Sequence, residues 1–351
     1  MLEGLILSID AMGGDAAPAI VINGIEKFLK STGQGRAARF MLHGDETQIK
    51  TLLKKAPLTA ARCEIMHTGD VIAMDAKPSF AMRRGKGTSM WNAVESVKNG
   101  DALVAVSAGN TGALMAMSKL LLRTKEGVQR PAIAARWPHQ QGFGVVLDVG
   151  ANLDCDANQL REFAVLGEAY YRALYKKERP SIGLLNVGTE DKKGNAIVQA
   201  AHDSLSCSKL DLNYVGFVEG NDISMGDVDV IVTDGFTGNV ALKTAEGAAR
   251  LVGTFTKEAL QGNLWSKLSS ALNFVALKKL NEKADPRTGN GGVFLGLNGI
   301  VIKSHGGTDA LGFSNALAVA IELADSTFLD EIERTLEALH DEDESLDIAL
   351  K

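Results

Sequence analysis

The sequence predicts an α/β protein with a mostly parallel, doubly wound sheet, and three observations carry that expectation. Short apolar runs alternate along the chain with longer stretches of helical spacing. The 37 glycines and only 5% aromatic residues suit tight strand-to-helix turns more than an aromatic-rich sandwich. Six of the apolar runs end in loops dense in Gly, Asn, Asp and Thr, and such loops line the carboxyl edge of a parallel sheet. They are expected to converge on one cleft.

Leu5 to Ile9 is the first strand and runs into Asp10-Ala-Met-Gly-Gly-Asp15, after which Pro18 is placed to open a helix over Ala19 to Leu29. Arg39 to Leu42 and Cys63 to Met66 read as short strands around a helix near Glu46 to Lys55. Ala76 to Met90 carries Arg83, Arg84 and Lys86 among glycines and hydroxyl residues, and reads as a loop that either clamps phosphate or is simply solvated. Ala102 to Val106 is a buried strand. The following Ser107-Ala-Gly-Asn-Thr-Gly112 has small side chains, so backbone N–H groups can approach an anion at the positive end of the helix reaching Leu122.

Ala132 to Trp137 and Gly144 to Leu147 are further strands, the second leading into Asp148-Val-Gly-Ala-Asn152 and a long helix, about Asn158 to Lys176. Ser181 to Leu185 precedes Asn186-Val-Gly-Thr-Glu-Asp-Lys-Lys-Gly-Asn195 and a helix over Ala196 to Leu205. Tyr214 to Val218 and Val228 to Val232 are strands, and the latter ends in Thr233-Asp-Gly-Phe-Thr-Gly-Asn239 before a helix over Val240 to Val252. Ile300 to Ile302 leads into Lys303-Ser-His-Gly-Gly-Thr-Asp309 and another helix. A single domain is expected over residues 1–340, with room for two lobes around a cleft. Residues 262–283 are locally basic and amphipathic, which suits an anionic membrane surface or an interface helix. The segment from Asp330 reads as a charged surface helix, around Glu331 to Leu339, fading into an acidic tail at 341–351 whose expected role is solubility.

Composition excludes several classes. A net charge of −6 and the lack of a basic stripe interleaved with aromatics argue against a nucleic-acid partner. Cys63, Cys155 and Cys207 are odd in number and widely spaced, which suits neither a disulfide framework nor a zinc knuckle and points to the cytosol. The N-terminal MLEGLILSID lacks a basic n-region and a cleavage site, and so reads as a strand. No window approaches the ~18 consecutive apolar residues of a spanning helix. Neither the dinucleotide glycine fingerprint nor the P-loop spacing occurs, which argues against ordinary NAD or ATP sites.

No Ser-His-Asp arrangement or nucleophile elbow appears. Cys155 is the only cysteine in a candidate loop, and Asp154 and Asp156 beside it disfavour a thiolate, so it reads as structural. Asp148, Asp154 and Asp156 are conceivable metal ligands, yet carboxylates at strand ends often cap helices and histidine ligands are missing, so no metal or other cofactor is expected. The loops do offer many amides together with Lys193, Lys243, Lys303 and His305. That set suits a phosphate and a developing oxyanion.

Six motifs, Asp10 to Asp15, Ser107 to Leu114, Asp148 to Asn152, Asn186 to Glu190 with Lys193-Gly194, Asp234 to Thr244 and Val301 to Gly306, together resemble the bacterial phosphate acyltransferases of phospholipid synthesis. The resemblance spans nearly the whole chain in order. It implies a three-layer α/β/α fold similar to isopropylmalate dehydrogenase and phosphate acetyltransferase, and a homodimer. It also implies transfer of a fatty acyl group from acyl carrier protein to inorganic phosphate, with the acyl phosphate passing to a membrane glycerol-3-phosphate acyltransferase. A cytoplasmic protein peripherally attached to the inner face of the cell membrane follows, with Leu264, Trp265, Leu268, Leu272 and Val275 as the membrane-facing residues.

In that setting phosphate is itself the nucleophile, and the enzyme has only to position it. Lys193, Asn239, Asn110 and His305 are the catalytic candidates. Asp10, Gly13, Gly14, Asp15, Arg83, Ser107, Gly109, Thr111, Gly112, Asn152, Asp234, Thr237, Lys243 and Lys303 are the expected substrate-binding set. Three alternatives stay open: a phosphate acetyltransferase-like enzyme using acyl-CoA, a metal- and NAD-dependent decarboxylating dehydrogenase, and a non-catalytic docking module.

Overall fold

The computed structural model describes residues 4–31, 38–261 and 285–349, together with Asn273. The proposed membrane-facing residues Leu264, Trp265, Leu268, Leu272 and Val275 lie outside the described residues.

The chain opens with β1 (Ile6–Asp10), α1 (Ala19–Ser31), β2 (Arg39–Gly44), α2 (Glu46–Leu53), α3 (Pro57–Ala60), β3 (Cys63–His67), α4 (Pro78–Arg84), α5 (Ser89–Lys98), β4 (Val104–Ser107) and α6 (Thr111–Leu122). It continues through β5 (Ala132–His139), β6 (Gly142–Leu147), α7 (Ala157–Tyr175), β7 (Ser181–Leu185), α8 (Ala196–Cys207), β8 (Asn213–Val218), α9 (Asp222–Met225), β9 (Val230–Val232) and α10 (Gly235–Gln261). The last elements are β10 (Gly292–Leu295), β11 (Ile300–Lys303), α11 (Ala310–Ala324) and α12 (Phe328–Ala349). The basic stretch expected as one loop is therefore mostly helical, since Pro78 opens α4 and the Thr88 hydroxyl caps α5.

Among the described residues, eleven strands form one sheet in the order β3-β2-β1-β4-β11-β10-β5-β6-β9-β7-β8. Strand residues alternate between its faces. Leu7, Ile9, Val104 and Ile302 pack with α1, α7, α11 and α12, whereas Ala105 and Val301 pack with α5 and α6 on the other face. Helices cover both faces, giving the expected three α/β/α layers.

The sheet is mostly parallel, as expected, but its parallel strands fall into two groups. β3, β2, β1, β4 and β11 are mutually parallel, as are β6, β9, β7 and β8. Between the groups, β10 is antiparallel to β11 and to β5, and β5 is antiparallel to β6. Three reversals turn the second group against the first, so the six loops do not share one carboxyl edge. The loops after β1, β4 and β11 form one set, and those after β6, β7 and β9 another. The two sets nevertheless meet where Lys243 of α10 contacts His305 of the loop after β11.

The C-terminal segment also differs. Ile332, Leu336 and Leu339 are buried along one face of α12, and Glu342 is buried in an ion pair with Arg161 of α7. Ser208 Oγ and Lys209 N also donate to Glu342. The helix is part of the core and continues past residue 340, where a separate acidic tail was expected.

Candidate active site

The first wall of the site is built on three neighbouring strand ends. Lys303 of β11 pairs in register with Ser107 of β4, and β1 on the far side of β4 ends in Asp10. Ser107 Oγ donates to Asp10 Oδ2 at 2.6 Å, and Gly109 N donates back to Ser107 Oγ at 3.0 Å. Asp10 is fully buried, which pushes its carboxyl up, while the Ser107 hydrogen bond opposes the shift. Lys303 is half-buried, and loss of solvent together with the nearby Lys243 charge pushes its ammonium down to about 8.

Glycine is required where these loops meet. A Cβ on Gly13 would lie 2.4 Å from Asp10 Oδ2 and 2.7 Å from Gly109 N, inside contact distance. Gly14 adopts a φ of +109°, beside Ala108 and the Gly306 carbonyl. Asp15 N donates to Gly306 O at 3.0 Å, so the loops after β1 and β11 are joined directly.

The turn after β4 supplies Thr111 and Gly112 as the first two residues of α6, positions whose N–H groups have no intrahelical partner. Asn110 behaves differently from expectation. Its Oδ1 accepts from Ala113 N at 2.8 Å, and its Nδ2 donates to the carbonyls of Met74 and Ala76 at 2.6 and 3.2 Å. The amide is committed to capping α6 and holding residues 74–76, so Asn110 is corrected from oxyanion donor to scaffold.

The second wall begins at α10. Asp234 caps that helix, accepting from Thr237 N at 2.8 Å and Thr237 Oγ1 at 2.7 Å, so both serve the helix start. Asn152 is likewise structural. It is buried, and its Nδ2 donates to Pro131 O and Asp148 Oδ2 while its carbonyl receives Gly235 N. Asp148 accepts from the backbones of Ile133, Gly150, Ala151 and Asn152, and Asp156 caps α7 with Gln159. Cys155 is buried next to Asp148, which pushes its thiol up to about 12 and leaves it inert.

With its first turn held, α10 projects two polar side chains one turn apart. Asn239 Nδ2 sits 2.6 Å from the point a Gly150 Cβ would occupy, and among the described residues nothing hydrogen-bonds its amide. Lys243 lies on the same helix face. Its Nζ contacts Glu246 Oε2 at 2.8 Å and His305 Nε2 at 2.9 Å.

His305 is thus faced by two donors, since Gly307 N lies 3.2 Å from its Nδ1. Burial and the Lys243 charge push the imidazole down, favouring its neutral form. A neutral imidazole has one lone pair, so it can accept from only one of the two, while Lys243 is also held by Glu246. The Lys243 ammonium has three N–H donors, so one remains for an anionic oxygen beside Lys243 and His305.

Asn290 was not anticipated from sequence. Its Oδ1 accepts from His305 N at 3.0 Å, and its Nδ2 donates to Ser304 Oγ and Gly312 O. It lies in the glycine-rich turn before β10, a strand too short to stand out, and that turn was the available signal. The structure does not bring Lys193 or Arg83 into this cluster. Lys193 is exposed on the loop after β7, 3.9 Å from Glu190, with its carbonyl held by Asn186. Arg83 is exposed in the last turn of α4.

Residues 5–331 match the family described as "Fatty acid synthesis protein". The chain is 54% identical over 332 residues to a phosphate acyltransferase of Maricaulis maris, covering 94% of each chain. It is 52% identical over 339 residues to one from Caulobacter vibrioides, covering 97% of this chain and 93% of that one. Its fold is similar to that of a phosphotransacetylase from Streptococcus pyogenes, with a TM-score of 0.61, 18% identity, and coverage of 92% of this chain and 94% of the other. Sequence kinship over almost the full length, on a fold of this type, makes the chain an acyltransferase that belongs to the phosphate acyltransferase family.

Proposed function

We propose that this enzyme transfers a long-chain fatty acyl group from acyl carrier protein to inorganic phosphate, producing an acyl phosphate for membrane phospholipid synthesis. The observation that carries the reading is the convergence of Lys243 and His305, from opposite halves of the sheet, to a 2.9 Å contact that leaves an ammonium N–H for an anionic oxygen. Lys303 and the amides of Thr111 and Gly112 supply the remaining positive field around a phosphate.

The phosphate is held by Lys243, Lys303 and the loop amides while one of its oxygens attacks the thioester carbonyl carbon. Asn239 and His305 donate to the oxygen that becomes negative in the tetrahedral intermediate. Collapse breaks the C–S bond, and the proton originally on hydrogen phosphate ends on the departing sulfur. A thiol with a pKa near about 8.5 leaves without a strong general acid. Asp10 and Ser107 act through position, keeping the floor of the cradle in place beneath the phosphate. Lys193 remains a rim candidate because β7 pairs with β9, whose end starts α10.

A homodimer fits α10, which exposes Phe236, Val240, Leu251, Val252 and Phe255 along its length. We assign the product to a membrane glycerol-3-phosphate acyltransferase and the enzyme to the inner membrane face as a peripheral protein. Among the described residues, no helix is long and apolar enough to cross a membrane.

The test is to incubate the protein with a long-chain acyl carrier protein thioester, with and without phosphate, and trap acyl phosphate with hydroxylamine. Phosphate-dependent product from the carrier thioester is expected, at a rate well above that from acetyl-CoA. Product from acetyl-CoA alone would move the assignment to a phosphate acetyltransferase-like enzyme.

A further inference from the structure

We propose that α4 and the segment leading into it are the docking surface for an acidic carrier protein, an inference that rests on the carrier-donor reading above. Lys77, Arg83, Arg84 and Lys86 are all exposed, and no Asp or Glu occurs between Asp75 and Glu95. Among the described residues none of these four cations has an ion pair or a side-chain hydrogen bond. In a chain of net charge −6, that is a concentrated, unneutralised basic face.

Apolar side chains lie within it. Phe80 is 56% exposed, Met82 46% and Met74 40%, although Ala81 between the first two is fully buried. α4 turns Pro78 and Ala81 toward α6, where Pro78 would sit 2.9 Å from a Cβ on Gly112. Helical spacing then puts Phe80, Arg83 and Arg84 on the outward side. An exposed aromatic ringed by cations is the composition of an anchor for a negatively charged protein surface.

Location decides which anionic partner this surface suits. Asn110, at the start of α6, holds the carbonyls of Met74 and Ala76, and the Met74 methyl lies against Gly306 in the loop after β11. The basic face is thus continuous with the wall of the phosphate cradle. A carrier protein delivering a thioester on a flexible arm has to sit beside the reacting phosphate, whereas a lipid-binding face carries no such positional requirement.

The test uses the full-length protein with the double charge reversal Lys77→Glu/Arg84→Glu, and separately Phe80→Ser. Donors are a long-chain acyl carrier protein and the same acyl group on N-acetylcysteamine, a small neutral thioester. We expect KM for the carrier donor to rise at least tenfold in the double variant, with kcat and the rate on the small thioester within twofold of the parent. Titration calorimetry with the carrier protein alone should show the same loss of affinity. The charge-preserving pair Lys77→Arg/Arg84→Lys should restore it. Unchanged carrier KM, or equal loss on both donors, would overturn the proposal. So would loss of binding to phosphatidylglycerol vesicles with carrier KM intact, which would assign the face to lipid. Absence of carrier-dependent turnover in the parent, with carrier binding still dependent on these cations, would sink the proposed reaction and leave the docking surface standing.

Discussion

Lys243 Nζ, on the third turn of α10, stands 2.9 Å from His305 Nε2 in the loop after β11, joining halves of the sheet that run in opposite directions. The neutral imidazole can accept from Lys243 or from Gly307 N but not from both. Removing the ammonium should therefore cost the site its principal cross-sheet ligand for phosphate. Lys243→Ala is expected to lower kcat/KM for phosphate by roughly 10²–10³, the typical effect of losing one charged donor. Lys193→Ala, at the rim, should raise KM for phosphate by less. Steady-state kinetics on both variants, alongside matched circular dichroism, check the ranking.

The pH dependence should follow Lys303. Its ammonium is pushed down to about 8 by burial, then by Lys243, with Asp10 opposing. In the proposed site the charged form is the one that binds phosphate, and it is lost as pH rises through that value. KM for phosphate should be nearly constant below pH 7.5 and climb by up to tenfold per unit above about 8. In Lys303→Arg the charge persists, so the alkaline rise should vanish. A rise that survives in the arginine variant would assign the titration to another group.

Gly13 tests the cradle itself. A methyl there would press on Asp10 Oδ2 and Gly109 N, both part of hydrogen-bonded strand ends. Gly13→Ala is expected to destabilise the protein by about 1–3 kcal/mol and to reduce phosphate turnover by more than tenfold. Thermal unfolding and turnover measured on the same preparation separate the two effects.

Glu342 tests the C-terminal helix. It accepts from Arg161, Ser208 and Lys209 and is buried with Arg161. Glu342→Ala removes a buried carboxylate that accepts from a guanidinium, a hydroxyl and a backbone amide, and should cost about 1–3 kcal/mol. A surface residue would cost within about 0.5 kcal/mol. Urea unfolding distinguishes the two.

Much of the fold was legible because strand and helix periodicities are local. Leu5 to Ile9, Ser181 to Leu185 and Tyr214 to Val218 coincide with β1, β7 and β8 to within one residue at either end. α4 was read as a loop because Arg83, Arg84 and Lys86 mask a short helix whose apolar contact is mainly Ala81. α12 was cut short because its acidic surface hides the Ile332, Leu336 and Leu339 stripe. The polar site residues were visible as a set. Their division into scaffold and ligand contact was not, because Asn110 and Asn239 have the same chemistry and differ only in whether their amides are already engaged.

Residue type and near-neighbour spacing are enough to settle the family, the α/β class and the glycine, lysine and asparagine motifs at strand ends. Which of those motifs meet depends on how the strands pair and in which direction they run. Three antiparallel steps through β10 and β5 reverse the second half of the sheet, and α10 carries Lys243 back to His305. Two of those steps are short hairpins, and the third, β10 against β5, joins residues more than a hundred positions apart, a partnership that no local pattern encodes.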